Sequence, residues 1–266
     1  MTAHPDAPET AAATYVFAVG RRLDPAVLAG LTGLAAGSPV RGLTFGPLTA
    51  VVQHVPAAEF TPEAWQERLS DRAELERCAR AHHEVVTGAA ACGPTVPLAL
   101  ATLYRSDDSA RRALIADTHR FAATLDRLEG HAEWGVKVWV PAAAPERPAT
   151  TAAPSRRDGG GAGRAYLERK RGLHRAREHH HDRALRIAED VDAALRRLAA
   201  AARRLRPHTP DMTGEKDRVQ VLNAAYLMTA VGEKELLDAA ETWRRRTGAD
   251  VEVSGPWVPY SFVGEG

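Results

Sequence analysis

The eight residues from Glu133 to Val140, EWGVKVWV, alternate in a way that only a strand satisfies. Trp134, Val136, Val138 and Val140 project to one side, and Glu133, Lys137 and Trp139 to the other, which is the two-residue period of a pleated chain. The residues beyond this strand constrain much of the remaining architecture. Residues 141–163 hold four prolines and four glycines and no large aliphatic side chain, so they read as a mobile linker or a long loop. A long helical segment then runs from Arg164 to about Leu205, with the stripe Ala184, Ile187, Val191, Leu195, Leu198, Ala202 and Leu205. Its last part, LAAAARRL, favours helix strongly, and Pro207 and Pro210 stop it. Arg218 to Thr229 is apolar on both faces and reads as a central strand. Glu233 to Arg246 reads as a helix with Leu236, Leu237, Ala240 and Trp243 inward, and Asp250 to Val253 as a last strand. A weak strand near 207–213 would complete the order βαββαβ, that of a modified ferredoxin-like fold with a long helix. Two prolines disfavour a ladder strand there.

The first half is α+β as well. Residues 1–13 read as a disordered tail. Thr14 to Val19 reads as a strand with Tyr15, Phe17 and Val19 on one face, Asp24-Pro25 as the start of a short helix, and Leu48 to Val55 as a second strand. Thr61-Pro62 caps a helix that breaks near Ser70-Asp71 and continues with the stripe Leu75, Cys78, Ala79, His82 and Val86. Thr95 to Tyr104 reads as a strand. Asp107 and Asp108 can cap one helix with the stripe Leu114, Thr118, Phe121, Leu125 and Leu128. The expected organisation is a tail at 1–13, an N-terminal α+β domain at 14–130 and a ferredoxin-like domain at 131–266, with its linker at 141–163.

Composition bounds the function classes. The chain has 266 residues, with 35 Lys+Arg against 34 Asp+Glu, a balance unlike that of a protein that coats nucleic acid through overall charge. No apolar run reaches the ~18 residues a membrane helix needs, and the N-terminus has neither a basic start nor an apolar signal core. Two cysteines, Cys78 and Cys92, exclude a disulfide scaffold and fit a reducing cytoplasm.

Motif chemistry is sparse. There is no GxSxG, HExxH or GxxxxGK[ST]. His179, His180 and His181 are consecutive, so on a helix they point about 100° apart and cannot share one metal. His174 and Glu178 stand four apart and read as a solvated pair. Gly159 to Gly163 lacks both the leading strand and the Lys-Ser/Thr of a phosphate loop. His82 reads as a structural histidine and Cys78 as a core thiol. No catalytic, cofactor-binding or metal-binding residue is expected.

Charge is more informative. Residues 1–130 carry a net −3 and residues 131–266 a net +4, and 13 basic against 6 acidic residues fall between Arg164 and Arg206. The first half of this helix, with Arg169, Arg171 and Arg175, is too polar to gain by packing on its own sheet, so it is expected to project as a basic arm toward an acidic partner face. The same 164–206 segment allows nucleic-acid binding, and a ferredoxin-like sheet allows a ligand-binding or enzymatic role. The other reading is a solvated helix laced with pairs such as Asp192 with Arg196. Trp257, Tyr260 and Phe262 close the chain. They either cover the sheet edge or core of the second domain or present an apolar patch to a partner.

Six segments in order carry a resemblance: HHEVV at 82–86, GPTVPL at 93–98, EWGVKV at 133–138, GRAYL at 163–167, LNAAYL at 222–227 and GPWVPYSF at 255–262. Together they resemble the gas vesicle protein F/L family over about residues 14–263. The resemblance implies two α+β domains, the second a modified ferredoxin-like fold. It also implies a cytoplasmic, gas vesicle-associated accessory protein that is not an enzyme and binds the hydrophobic shell protein and other accessory proteins. Beside the resemblance, the missing motifs give the expectation of no cofactor, and the polar half-helix and the closing aromatics give Arg169, Arg171, Arg175, Trp257 and Tyr260 as candidate partner-binding residues. Neither nucleic acid nor membrane is expected as a partner. One departure stands out: where family members often read Arg-Phe-Gly-Thr after the proline, this chain has Leu98-Ala99-Leu100-Ala101-Thr102.

Overall fold

The computed structural model describes residues 12–142, 161–209, 214 and 217–264. The chain forms two compact units, Met1–Glu133 with Pro256–Gly266, and Trp134–Gly255.

The first unit is built on a five-stranded sheet. Its strands are β1 (Ala12–Gly20), β2 (Arg41–Phe45), β3 (Leu48–Pro56), β4 (Thr95–Pro97) and β5 (Leu103–Tyr104). The order is β2-β3-β1-β4, with β5 also pairing β1. β1 is central, and Tyr15 to Val19 are fully buried. The antiparallel register with β3 slips between Val16 and Ala18, so Phe17 is an extra residue on its strand. Phe17 and Ala18 therefore pack in the same cluster as Tyr15, and Val19 lies outside it. The simple alternation expected for Tyr15, Phe17 and Val19 fails at this bulge. Residues 12 and 13, read as tail, are the start of β1; residues 1–11 lie outside the described residues.

Five helices complete the unit: α1 (Pro25–Ala29), α2 (Pro62–Ser70), α3 (Arg72–Ala90), α4 (Asp107–Ala116) and α5 (Thr118–Leu128). The break at Ser70-Asp71 is as the sequence suggests: Asp71 accepts from the backbone N–H of Ala73 and Glu74 and caps α3. α3 buries Cys78, His82, Val85, Val86 and Ala89 against the sheet, whereas Leu75 is exposed. The single helix expected after Asp107 is two. Ser106, not the aspartates, caps α4 by accepting from Ser109 N–H, and the chain turns at Asp117 before α5. Leu114, Phe121, Leu125 and Leu128 still share one buried side, so the stripe is right although the helix is broken. The strand expected over Thr95–Tyr104 is interrupted at 98–102, where Ala101 adopts a left-handed backbone, φ 74°.

One buried polar side chain organises a loop of this unit. Gln53 Oε1 accepts from Leu34 and Ala35 N–H, and its amide nitrogen donates to the carbonyls of Thr32, Ala35 and Ser38. At Gly33, φ 67°, a Cβ would come within 2.5 Å of that amide, so only glycine fits there.

The second unit runs β6 (His131–Pro141, from Trp134), α6 (Gly161–Arg196), β7 (Ala201–Arg204), β8 (Arg218–Thr229), α7 (Ala230–Thr247) and β9 (Asp250–Trp257, to Gly255). Its sheet order is β7-β8-β6-β9. Trp134, Val136, Val138 and Val140 of β6 face the core together with Leu222, Ala224, Tyr226 and Met228 of β8, as their periodicities require. The third element is where the sequence misleads. Helix α6 ends at Arg196, and the Ala-rich stretch read as its continuation forms β7, antiparallel to β8 with Ala201 opposite Leu227 and Arg204 opposite Ala224. No strand lies at 207–209. Alanine's helix preference is worth only tenths of a kcal/mol per residue, and the ladder with β8 outweighs it. In α7, Leu236 and Ala240 are buried and Trp243 packs partly against them, but Leu237 is exposed. Of the proposed linker, residues 143–160 lie outside the described residues; Pro141 ends β6, and 161–163 open α6.

The closing residues correct the grouping of 131–266. Val258 and Tyr260 pack in the first unit's core with Phe60, Trp65 and Val86.

Candidate partner-binding surfaces

Helix α6 divides at Ala184. Beyond it, Ala184, Ala188, Val191 and Leu195 are buried at spacings of four, three and four, and Ile187 packs partly beside them. Before it, every described side chain from Arg164 to Arg183 is exposed except His180, which is half-buried. The charge divides at the same point. Residues 164–183 carry seven basic and three acidic side chains, 184–196 two and three, so the positive charge sits on the exposed half. The four remaining arginines of the 164–206 segment, Arg197, Arg203, Arg204 and Arg206, come after the helix.

Arg171 and Arg175 are exposed on this half and make no ion pair among the described residues; the side chain of Arg169 lies outside the described residues. Arg164 with Glu168 and His174 with Glu178 each approach at 3.5 Å, exposed pairs worth ~0.2–0.5 kcal/mol. Of the three consecutive histidines, His180 reaches the Pro141 carbonyl at 2.8 Å. Among the described residues no three His, Cys, Asp or Glu side chains gather where a metal could sit.

The aromatic close of the chain is the second surface. Trp257 is 47 % exposed, and its ring lies 6.1 Å from that of His83 on α3. Tyr260 lies 5.9 Å from the same imidazole. Its hydroxyl is buried without an acceptor among the described residues, and burial pushes its pKa up to about 12. The segment is fixed from both sides: Glu133 accepts from Ser261 N–H at 2.8 Å and Oγ–H at 2.6 Å, and Arg127 donates to the Phe262 carbonyl at 2.7 Å. Phe262 is buried. The five candidate residues thus form two groups. Trp257 and Tyr260 meet around His83 in the first unit, and the arginines stand on α6 in the second.

Two clusters escaped the sequence reading. Asp192, expected on a solvated helix face, is buried and accepts from Tyr226, Arg196 and Arg204. Its i, i+4 spacing to Arg196 was visible, but Arg204 and Tyr226 come from strands. Asp107, expected as a cap, takes both oxygens to Arg41 at 2.7 and 2.9 Å and also accepts from Thr14 and His54. Burial alone would raise its carboxyl; those hydrogen bonds outweigh it and hold it below the usual range. No local pattern joins residues 14, 41, 54 and 107. Both clusters tie elements together and leave no open coordination or nucleophile.

The family model described as gas vesicle synthesis protein GvpL/GvpF matches residues 13–264. The chain belongs to this family. It is 39% identical over 255 residues to gas vesicle protein L of a Streptomyces species, covering 94% of this chain and 92% of that one. To gas vesicle protein L2 of Halobacterium salinarum it is 26% identical over 200 residues, 71% and 72% of the two chains. The fold resembles the crystal structures of GvpF from an Anabaena species, TM-score 0.66 over 96% of this chain and 97% of that one, and from Microcystis aeruginosa, TM-score 0.63 over 95% and 99%. Both are 17% identical to it. Membership assigns this GvpL/GvpF protein a role in gas vesicle formation, and the family is not a known enzyme class. No helix among the described residues is long and apolar enough to cross a membrane.

Proposed function

We propose that this GvpL/GvpF protein is a non-catalytic accessory factor of gas vesicle assembly that works in the cytoplasm and at the vesicle. In this reading it binds the shell protein and other accessory proteins. Its two working parts are the domains expected from the sequence, less the closing segment 256–266, which goes with the first. The second is a modified ferredoxin-like fold: its βαββαβ order and the β7-β8-β6-β9 sheet support that reading.

The observation that carries the proposal is the exposed basic half of α6. A helix polar all round gains nothing from its own sheet. Here the seven basic residues between Arg164 and Arg183 ride on a stem anchored by Ala184, Ala188, Val191 and Leu195. Arginine forks pair with carboxylates through two parallel hydrogen bonds, so a row of them suits an acidic partner face. Each exposed contact is worth only ~0.2–1 kcal/mol, so several act together. Trp257 and Tyr260 add an aromatic contact in the first unit.

The test is binding of the full chain to immobilised shell protein, and to each accessory protein in turn, at physiological salt. Reversal of Arg169, Arg171 and Arg175 to Glu is expected to weaken binding with the melting temperature nearly unchanged. Binding that survives the triple reversal leaves the arm a solvated helix and overturns the assignment.

A further inference from the structure

A groove in the first unit has walls, a cation and a donor, and no described residue uses them. It has a volume of about 710 Å³ and opens beside the start of β1, between the Phe60–Trp65 pair and β5. Its space exists because Ala12, Ala13, Ala57 and Ala101 line it with methyl groups only. Phe60 and Trp65 stack at 4.9 Å and form an apolar wall. Leu103 and Tyr104 of β5 line the groove as well.

Two polar groups are left over. Trp65 is buried, and its Nε1–H has no acceptor among the described residues. Arg105 is exposed and is the sole charged residue among the lining side chains. Arg105 makes no ion pair among the described residues, and the acids close to it or to the groove's lining in sequence pair elsewhere: Asp107 with Arg41, Asp108 with Arg111 at 2.8 Å, and Glu59 with Arg68 at 3.7 Å. A buried indole N–H and a guanidinium with no ion pair among the described residues, together with stacked aromatic rings, form a cradle for apolar side chains with an adjacent carboxylate and a carbonyl acceptor. β5 is bonded only to β1 among the described strands, so its outer side can take an extended chain.

We propose that this groove is a docking site for an extended, acidic and apolar segment of a partner protein. Alternate apolar side chains enter between Phe60–Trp65 and Leu103–Tyr104, and a carboxylate pairs with Arg105. The site is distinct from the basic arm, and it rests on the proposed function only in taking the occupant to be a protein.

A fluorescein-labelled heptapeptide of alternating Leu and Glu, with Leu/Gln and Leu/Lys counterparts, tests the site on the full chain without any gas vesicle protein. Anisotropy is expected to rank Leu/Glu above Leu/Lys by at least about tenfold, an electrostatic preference of ordinary size. Arg105→Glu is expected to invert the ranking, Arg105→Gln to flatten it, and Ala57→Phe to abolish binding by filling the groove. In each variant the melting temperature is read alongside. The Trp65 Nε1–H resonance, assigned through Trp65→Phe, is expected to move on adding Leu/Glu. Equal affinity for the three peptides, no binding of Leu/Glu, or binding indifferent to both the Arg105 and Ala57 substitutions overturns the proposal. So does a Trp65 resonance that moves with decanoate but not with Leu/Glu, which would make the groove a lipid-type site. Loss of shell-protein binding in the arm variant with peptide binding retained separates the two sites.

Discussion

The Tyr226 hydroxyl donates to Asp192 Oδ1 at 2.7 Å, and both side chains are buried. On the other carboxylate oxygen, Arg196 Nε and Arg204 Nε donate at 3.0 and 2.6 Å. Four residues from α6, β7 and β8 thereby share one charge. The arrangement depends on the chain leaving the helix after Arg196, because only then does Arg204 return to the Asp192 side of α6. The Ala-rich strand β7 is held at both sides, by its ladder with β8 and by this carboxylate.

Asp192 therefore makes the second unit acid-sensitive. Burial alone would raise its carboxyl, but the hydrogen bonds from Tyr226, Arg196 and Arg204 outweigh it and hold the carboxyl below the usual value. The ionised form is favoured in the folded state, so this stabilisation is present above the unfolded value of ~3.9 and is lost as pH falls below it. Urea unfolding followed across about pH 5 to pH 2 is expected to show that loss. Asp192→Ala leaves Tyr226 and two arginines without their acceptor and is expected to cost ~3–5 kcal/mol at neutral pH. A variant as stable as the parent would show that the cluster is not a support.

Alternation made β6 legible in the sequence and helical spacing the stem of α6, while β1, β3 and β8 were readable as apolar runs of strand length. What it could not show lies between distant residues. Phe17 is an extra residue only relative to β3, and Asp117 ends α4 without a proline or glycine to announce it. β7 is set by its partner strand, against the preference of its alanines. Of the candidate surfaces, the division of α6 into polar and apolar halves was readable. The seating of Val258 and Tyr260 in the first unit was not, since it depends on a chain reversal that no local pattern encodes.

His82 gives the first unit its own pH dependence, in a different window. It lies on α3 with Nδ1 2.9 Å from the Tyr15 hydroxyl, which also accepts from Ala101 N–H. Burial lowers its pKa to about 4. The folded state favours the neutral imidazole, so its contribution is complete above the unfolded value of ~6.5 and is lost as pH falls toward the folded value. Thermal melting of the parent is expected to fall across that interval, with a shallower slope in His82→Gln. Identical slopes in the two proteins would assign the dependence to other groups.

Ala101 has a φ of 74°, the left-handed conformation that glycine adopts without strain. For an alanine that conformation costs ~1–2 kcal/mol, while a glycine at the same place loses ~0.4–1 kcal/mol more chain entropy on folding. The difference favours glycine. Ala101→Gly is expected to raise stability by up to ~1.5 kcal/mol, and Ala101→Val to lower it, because a β-branched side chain is strained further there. Differential scanning calorimetry of the three proteins decides the order; a glycine variant that melts below the parent contradicts it.

The closing segment is expected to support the unit from which the sequence separates it most. Deletion of residues 256–266 removes Val258 and Phe262 from buried positions, together with the bonds from Ser261 to Glu133 and from Arg127 to Phe262. Removing a buried phenylalanine side chain alone costs ~3–5 kcal/mol, and each hydrogen bond to a charged group adds ~1.5–3 kcal/mol. The deletion is thus expected to unfold or strongly destabilise the first unit while the second, whose core runs from Trp134 to Val251, keeps its own packing. Trp257→Ala supplies the contrast. Its ring is half exposed, so the change is expected to stay within ~1 kcal/mol and to act on partner binding instead. Hydrogen exchange reads the two units separately. Faster exchange in β1, β3 and α3 of the deletion variant, with β6 and β8 still protected, is the expected pattern. Loss of protection in β6 and β8 first would place the segment with the second unit after all.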